Sequence, residues 1–369
     1  MATIESYETA KGTRYMVRYR TPDHRTTTKR GFKRKKDARD WTSRTEISKN
    51  DGSFIPYAAG SVTVGELGET WLQRKKISVK PSWYRRIDGA WHRYVKPKWS
   101  HVAVRDVAHK DVQQWVTAMA EKMSASSTDH IYGVLAGILD DAVSGGMIAR
   151  NQARGVTLPK KPRRRHTYLT PEQLRDLASA CVNHQRRSPM DPVHETMILL
   201  LGTVGLRWGE LAGLRIRDVD LNRHRLNISV SATQVGIEIV EGTPKSGMAR
   251  SVVFPEFLDD RLRALIGDRD GAELVFRARD GGYVRQVSPG KRSGWFGAAC
   301  DRAGVPRMTV HDLRHTAASL MVRSGANVKA VQRQLGHASA AMTLDVYADL
   351  FDDDLDAVGD AVSGLFDKM

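Results

Sequence analysis

Cysteine is nearly missing from this chain: 369 residues contain two, Cys181 and Cys300. So few thiols, set far apart, suit a reducing compartment and exclude the usual four-thiolate zinc site. Long apolar runs are missing too. None approaches the roughly 20 residues a membrane helix needs, and the N-terminal MATIESYETAKG lacks the apolar core of a signal peptide. The expected setting is the cytoplasm, nucleoid-associated in a bacterial host, with no membrane partner. No internal repeat or low-complexity tract is present. No glycine-rich turn precedes Lys245-Ser246, so a Walker-type nucleotide loop is excluded there. His311 and His315 stand one helical turn apart, but the glutamate of a HExxH zinc motif is absent. Neither a metal nor any other cofactor is expected.

What the chain does have is positive charge. Its net charge is +16, on a hydrophobic share of 41% that allows an ordinary core. That balance implies a polyanionic partner, nucleic acid before anionic membrane. The charge is uneven. Residues 1–60 hold 14 Lys+Arg against 7 Asp+Glu, residues 61–165 hold 19 against 9, and residues 166–369 hold 25 against 26. The grip on a polyanion therefore belongs to the first 165 residues. Chemistry is to be sought in the near-neutral remainder.

Periodicity divides the chain into three segments. In RYMVRYR (14–20), Tyr15, Val17 and Tyr19 alternate with Arg14, Arg18 and Arg20, the period of a half-buried strand. A turn at Thr21-Pro22-Asp23 leads to a second strand over 26–32. A helix follows with Ala38, Trp41 and Thr45 inward, so residues 1–55 read as a small basic sheet with one helix. Arginines sharing one strand face suit a DNA groove. Residues 51–61 read as a linker. Thr63 and Glu66 then form a capping box before Val64, Leu67 and Trp71, and further helices are expected at 82–95, 109–122 and 127–144. Residues 62–155 thus read as all-α. Lys75, Lys76, Arg85 and Arg86 stand out among their bases, while Trp83, Tyr84, Trp91 and Trp99 read as core rather than as base-stacking groups. LPKKPRRRH (158–166) is a second linker whose Arg163, Arg164 and Arg165 could track a phosphate backbone.

The third segment, 166–369, reads as mainly helical with small strands. Thr170-Pro171 caps a helix, and 195–205 reads as a buried helix ending at Gly205. Strands are expected at 226–233, 236–241 and 250–254. Helices are expected at 257–266, 292–303, 311–324, 327–335, 339–349 and 353–365. The fold class is multidomain and mainly α with small β-sheets.

A polyanionic partner directs attention to phosphoryl chemistry. A five-coordinate phosphorane carries more negative charge than the diester it comes from, so fixed cations must aim at its equatorial oxygens. Arginine suits that task because its planar fork donates paired hydrogen bonds. An in-line nucleophile and an acid for the leaving oxygen complete the needs. The third segment holds suitable side chains. GLRWGEL (205–211) sets Arg207 at a helix start. TPKSGMARSV (243–252) sets Lys245 in a turn between strands. HDLRH (311–315) puts His311 and Arg314 on one helical face. LGHAS carries His337 at a helix–loop junction, and TLDVYADL carries Tyr347. Singly, each has an ordinary structural reading: a surface arginine, a capping pair, a half-buried tyrosine. The ordered set is specific.

In that order and spacing the set resembles the tyrosine recombinases, and within them the phage-type integrases. The resemblance spans essentially the whole chain and is strongest at 200–215 and 308–350. It implies a DNA strand transferase working through a 3′-phosphotyrosine bond on Tyr347, which conserves the energy of the broken diester. Arg207 and Arg314 would clamp the scissile phosphate, Lys245 would protonate the leaving 5′ oxygen, and His311 would move the proton of the nucleophile. His337, where the family carries His or Trp, would donate to a phosphate oxygen, and Glu210 would support the site. Residues 1–55 would be the arm-binding domain, 62–155 the core-binding domain and 166–369 the catalytic domain. The partners implied are double-stranded DNA with core-type and arm-type sites, a homotetramer on that DNA, a host DNA-bending protein and an excision factor. The last helix, with Val358, Val362 and Leu365 as anchors, would dock on a neighbouring subunit. Three other readings stand beside this one: a type IB topoisomerase, a non-catalytic DNA-binding regulator, and a metal-dependent transposase. The separate basic N-terminal segment, the complete set of reactive residues and the lack of spaced carboxylates respectively weigh against them.

Overall fold

The computed structural model describes residues 2–10, 12–22, 24–50, 54–56, 58–162, 167–182, 190–244, 247–287, 294–337 and 339. The chain divides into two compact units, Met1–Arg163 and Arg164–Met369. The helices expected at 339–349 and 353–365 lie outside the described residues.

The first unit opens with an antiparallel sheet of β1 (Thr3–Tyr7), β2 (Arg14–Arg20) and β3 (Thr26–Phe32), in that order. Alternation along β2 buries Val17 and Tyr19 and leaves Arg18 and Arg20 exposed. Helix α1 (Lys35–Asn50) covers the buried face with Ala38, Trp41 and Thr45, and the Tyr19 and Trp41 rings meet edge-on at 5.0 Å. β1 is not anticipated from the sequence. TIESY alternates weakly and is fixed by pairing along one edge of β2.

A larger helical core follows. Helix α2 (Val64–Ser78) starts at the expected capping box: Thr63 Oγ1 accepts the Glu66 N–H, and the Glu66 carboxylate accepts the Thr63 N–H at 2.9 Å. Helix α3 (Pro81–Ala90) runs through a π-turn at Trp91–Val95 into α4 (Lys96–Trp99). Then come α5 (His109–Ala120) and α6 (Ala125–Ser144). Trp91, Val95, Leu135, Ile138 and Leu139 are fully buried together. Each such side chain contributes about 1.5–3 kcal/mol when removed from water, so the apolar stripes of these helices account for their association.

The second unit is organised around α8. Helix α7 (Pro171–Ser179) begins at a Thr170–Gln173 capping box. Helix α8 (Asp191–Val204) ends in the run MILLLGTV, which is largely buried, and the helix packs against α7 and later helices. Short α9 (Trp208–Ala212) leads to β4 (Val219–Asp220), β5 (Arg225–Ile228), β6 (Ser231–Val235), β7 (Glu238–Gly242) and β8 (Arg250–Val253). The strands form two sheets, β4-β5-β8 and β6-β7. The single strand expected at 226–233 is therefore two. β5 pairs with β8 while β6 pairs with β7, so the chain changes sheets between them. Helices α10 (Asp259–Ile266), α11 (Trp295–Arg302), α12 (Val310–Arg323) and α13 (Val328–Leu335) follow among the described residues, with α12 packed along α8. Cys181 and Cys300 are free and buried, and burial pushes the Cys181 thiol up to about 12. Among the described residues no helix is long and apolar enough to cross a membrane.

Candidate active site

Among the described residues, the chain reversals at Gly205 and Gly336 and the start of α12 bring Arg207, Glu210, Arg314 and His337 into one region. Helix α8 ends at Gly205 in a left-handed conformation (φ 75°). A Cβ there would come within 2.5 Å of Leu335, so both the backbone angle and the space require glycine. Two residues on, Arg207 is extended and caps α9. Its backbone N–H donates to Glu210 at 3.0 Å, its Nη1 donates to the same carboxylate at 2.8 Å, and its Nη2 donates to the Gly336 carbonyl at 3.1 Å.

Arg314 arrives from the first turns of α12, whose start is fixed by a Thr309–Asp312 capping box. It is 3% exposed, and its fork spans the Gly205 carbonyl at 2.5 Å and the Leu335 carbonyl at 2.6 Å. Both arginines thus tie the loop after α8 to the end of α13. Helix α13 stops at Gly336, also left-handed. His337 follows, held by its N–H on the Gln332 carbonyl and by the Gln332 amide on its own carbonyl, both at 3.1 Å.

Electrostatics tie His337 to this cluster. Burial, and then the charges of Arg314, Arg207, Arg250 and His311, push its pKa down to about 4. The ring is therefore neutral near pH 7. His311 is exposed at the start of α12, with its ring edge-on to His315 at 5.2 Å. His194, stacked flat on Trp295 at 3.9 Å, is likewise lowered by burial to about 4. An unfolded histidine takes its proton near 6.5, so in both cases the unfolded chain binds the proton first as pH falls. Their stabilising effect is complete above about pH 6.5 and is lost as pH drops toward 4. The transition temperature of the second unit should fall across that window. His194→Asn should flatten the fall; an unchanged slope would contradict the assignment.

Glu210 holds the cluster together. Its side chain is 0% exposed. Burial alone would raise its pKa, but hydrogen bonds and charge from Arg250, followed by those from Arg207, outweigh burial and hold it at about 2. Arg250 on β8 supplies a bidentate pair, Nη1 at 2.9 Å and Nη2 at 2.7 Å. Sequence reading stopped at Lys245 in this stretch and missed Arg250. The available signal was strand alternation: Arg250 shares the inward face of β8 with fully buried Val252 and needs a buried anion there. Arg207 and Arg250 share the Glu210 carboxylate, and Arg314 brings a further guanidinium close enough to act on the neutral His337. Such a site suits a phosphoryl group gaining negative charge.

Residues 167–353 match the model described as the phage integrase family. The chain belongs to the phage integrase family. Its members are tyrosine recombinases, enzymes that cut and rejoin DNA, and this chain is a site-specific recombinase of that type. It is 27% identical over 321 residues to the integrase of Mycobacterium phage L5, covering 85% of this chain and 81% of that one. A tyrosine recombinase XerC-like protein of Caldanaerobacter subterraneus is 24% identical over 317 residues, covering 78% and 79%. Among solved structures, the Tn1549 transposon integrase in complex with a circular intermediate DNA superposes with a TM-score of 0.68 at 22% identity. That match covers 81% of this chain and all of the other, and it agrees with the mainly α, multidomain fold.

The remaining residues singled out from the sequence are placed as follows. Lys245, Tyr347, Arg163, Arg164 and Arg165 lie outside the described residues. On β2, Arg18 and Arg20 are exposed, and Arg14 is half-buried. Lys75 packs its ammonium over the Trp71 ring at 5.1 Å, while Lys76, Arg85 and Arg86 are exposed. Trp91 and Trp99 are core and Tyr84 is half-buried, but Trp83 is not core: it is 44% exposed. Its position on α3 turns it outward, where Arg86 lies over its face at 5.2 Å and the His130 ring is 5.0 Å away.

Proposed function

We propose that this recombinase joins a phage or mobile-element genome to its host at paired attachment sites, through a 3′-phosphotyrosine bond on Tyr347. The observation that carries the reading is the convergence of Arg207, Arg314 and His337 where the loop after α8 meets the end of α13. In the proposed mechanism the two arginines hold the non-bridging oxygens of the scissile phosphate. His337, neutral, donates one N–H to the same group. His311 accepts the tyrosine proton as the phenol oxygen attacks phosphorus. The P–O5′ bond breaks, and Lys245 supplies the proton to the leaving oxygen. A free 5′-hydroxyl from the partner duplex then reverses the steps and restores the diester, so no external energy source is consumed.

The basic first unit is proposed to hold the DNA. Residues 1–55 would take arm-type sites through Arg14, Arg18 and Arg20. Residues 62–155 would take the core site through Lys75, Lys76, Arg85 and Arg86, and the linker at Arg163–Arg165 would follow the backbone. Residues 166–369 would carry the chemistry. Assembly as a homotetramer, with a host DNA-bending protein and an excision factor setting direction, completes the proposal. The test is a duplex nicked beside the crossover site, so that the cleaved fragment diffuses away and religation fails. Wild-type protein should accumulate a covalent DNA adduct in the presence of a metal chelator. Cleavage that stops in chelator would favour a metal-dependent transposase instead. Relaxation of supercoils without cognate sites would favour a topoisomerase.

A further inference from the structure

Arg250 belongs to a closed ring of hydrogen bonds. From β8 its fork covers both oxygens of Glu210. Glu210, on α9, accepts Nη1 of Arg207, and Arg207 donates Nη2 to the Gly336 carbonyl at the end of α13. The ring closes through Gln334 in the last turn of α13. The Gln334 side chain accepts the Val253 N–H at 3.0 Å and donates to the Val253 carbonyl at 2.7 Å, and its own carbonyl faces Arg250 Nε at 3.4 Å. β8 is thereby fastened to the turn that carries His337. The packing is tight: a Cβ on Gly336 would come within 2.8 Å of Arg250 Nε.

The arrangement has a consequence for Arg207. A buried carboxylate with one arginine partner draws that arginine into a two-point pair. Here Arg250 already holds both oxygens from the other side, and the side chain of Arg207 gives Glu210 one N–H only. Arg250 is 11% exposed and its fork is turned into the protein, so its charge serves Glu210 rather than a ligand.

We infer that Arg250 is a positioning residue for DNA cleavage: by saturating Glu210 it keeps the charge and remaining N–H groups of Arg207 for the scissile phosphate. The inference rests on the proposed function, in which Arg207 grips that phosphate. Without Arg250, Glu210 withdraws Arg207 and neutralises it. With both Glu210 and Arg250 neutralised, Arg207 regains its charge, though with a looser aim.

The experiment is single-turnover adduct formation by the full chain on the nicked duplex. It compares an ordinary scissile phosphate with a neutral methylphosphonate, which has less need of arginine charge. Arg250→Met should slow cleavage of the phosphodiester by about 10²-fold, the scale of one lost transition-state donor. DNA affinity should stay within about threefold, because phosphate contacts elsewhere set it. On the methylphosphonate the loss should shrink to less than about tenfold, since the charge Arg207 withholds is less needed there. The double variant Glu210→Gln/Arg250→Met should recover at least about tenfold over Arg250→Met on the phosphodiester, as coupled residues do. Arg250→Lys keeps the charge but cannot span both oxygens. It should show the same substrate dependence, and it keeps the test decisive if the methionine variant unfolds. Equal losses on the two substrates, or a double variant no better than the single, would overturn the inference and leave Arg250 a structural residue. If wild type forms no adduct, or if Arg207→Ala cleaves as fast as wild type, the proposed function itself fails.

Discussion

Arg314→Ala should reduce single-turnover DNA cleavage by about 10²- to 10³-fold, the effect of removing one fixed donor from a developing anion. The loss should be at the upper end of that range because Arg314 is held twice over. Its fork joins the Gly205 and Leu335 carbonyls across two loops, so alanine removes the cation and also releases the loops that position Arg207 and His337. Each buried carbonyl left without its donor costs about 1–3 kcal/mol. Arg314→Lys separates the two contributions. A lysine keeps the charge but cannot reach both carbonyls as a planar fork. It should recover little cleavage while DNA affinity in gel-shift titration stays near wild type. Cleavage by the lysine variant at wild-type rate would mean that charge alone matters at this position.

Glu210→Ala is expected to be the most destabilising single substitution in the cluster. It leaves Arg207 and Arg250 facing each other without an anion in a site where the carboxylate was 0% exposed. Removing one member of a buried ion pair costs about 3–5 kcal/mol, because the other charge stays buried. With two units, the chain is not expected to unfold in one step. The measurement is therefore hydrogen exchange of peptides covering residues 205–213 and 250–254, where protection should collapse. Protection retained in both segments would show that water replaces the carboxylate without cost. Acid should mimic the substitution only in extreme conditions. The depressed pKa of Glu210 means its stabilisation is complete above about pH 4.5 and fades as pH falls toward 2.

The parts of this molecule that were legible in its sequence are those settled by near neighbours. The capping box at Thr63–Glu66 and the N-cap at Thr170 are local hydrogen bonds, and both occur as read; the return bond from Gln173 at the second is an addition from the structure. The alternation in β2 and the apolar run of α8 report burial directly. The parts that were missed depend on partners distant in the chain. β1 is defined by its pairing to β2, and the break between β5 and β6 exists because each strand finds a different sheet. Nothing local marks the π-turn at Trp91–Val95 or the outward turn of Trp83.

The site follows the same division. Arg207, His311, Arg314 and His337 could be picked out by order and spacing. Glu210 entered only through the family resemblance, as an acidic residue that would support the site. What the order could not convey is how the side chains hold one another: Arg314 across two loops, and Arg250 on the carboxylate that Arg207 shares. Those bonds join α9, β8, α12 and α13, elements that only the folded unit brings together.

Tyr347 is the proposed nucleophile, and the sequence offers a direct way to test it. Trypsin cleaves after Arg333 and next after Lys368, so a single peptide, 334–368, contains Tyr347 and no other tyrosine. Adduct formed on the nicked duplex should be digested with nuclease and trypsin, and the nucleotide-linked peptide identified by mass spectrometry. The expected product is a phosphodiester-linked nucleotide on peptide 334–368, at Tyr347, with no adduct from Tyr347→Phe. A nucleotide on any other peptide, or an adduct that survives Tyr347→Phe, would contradict it.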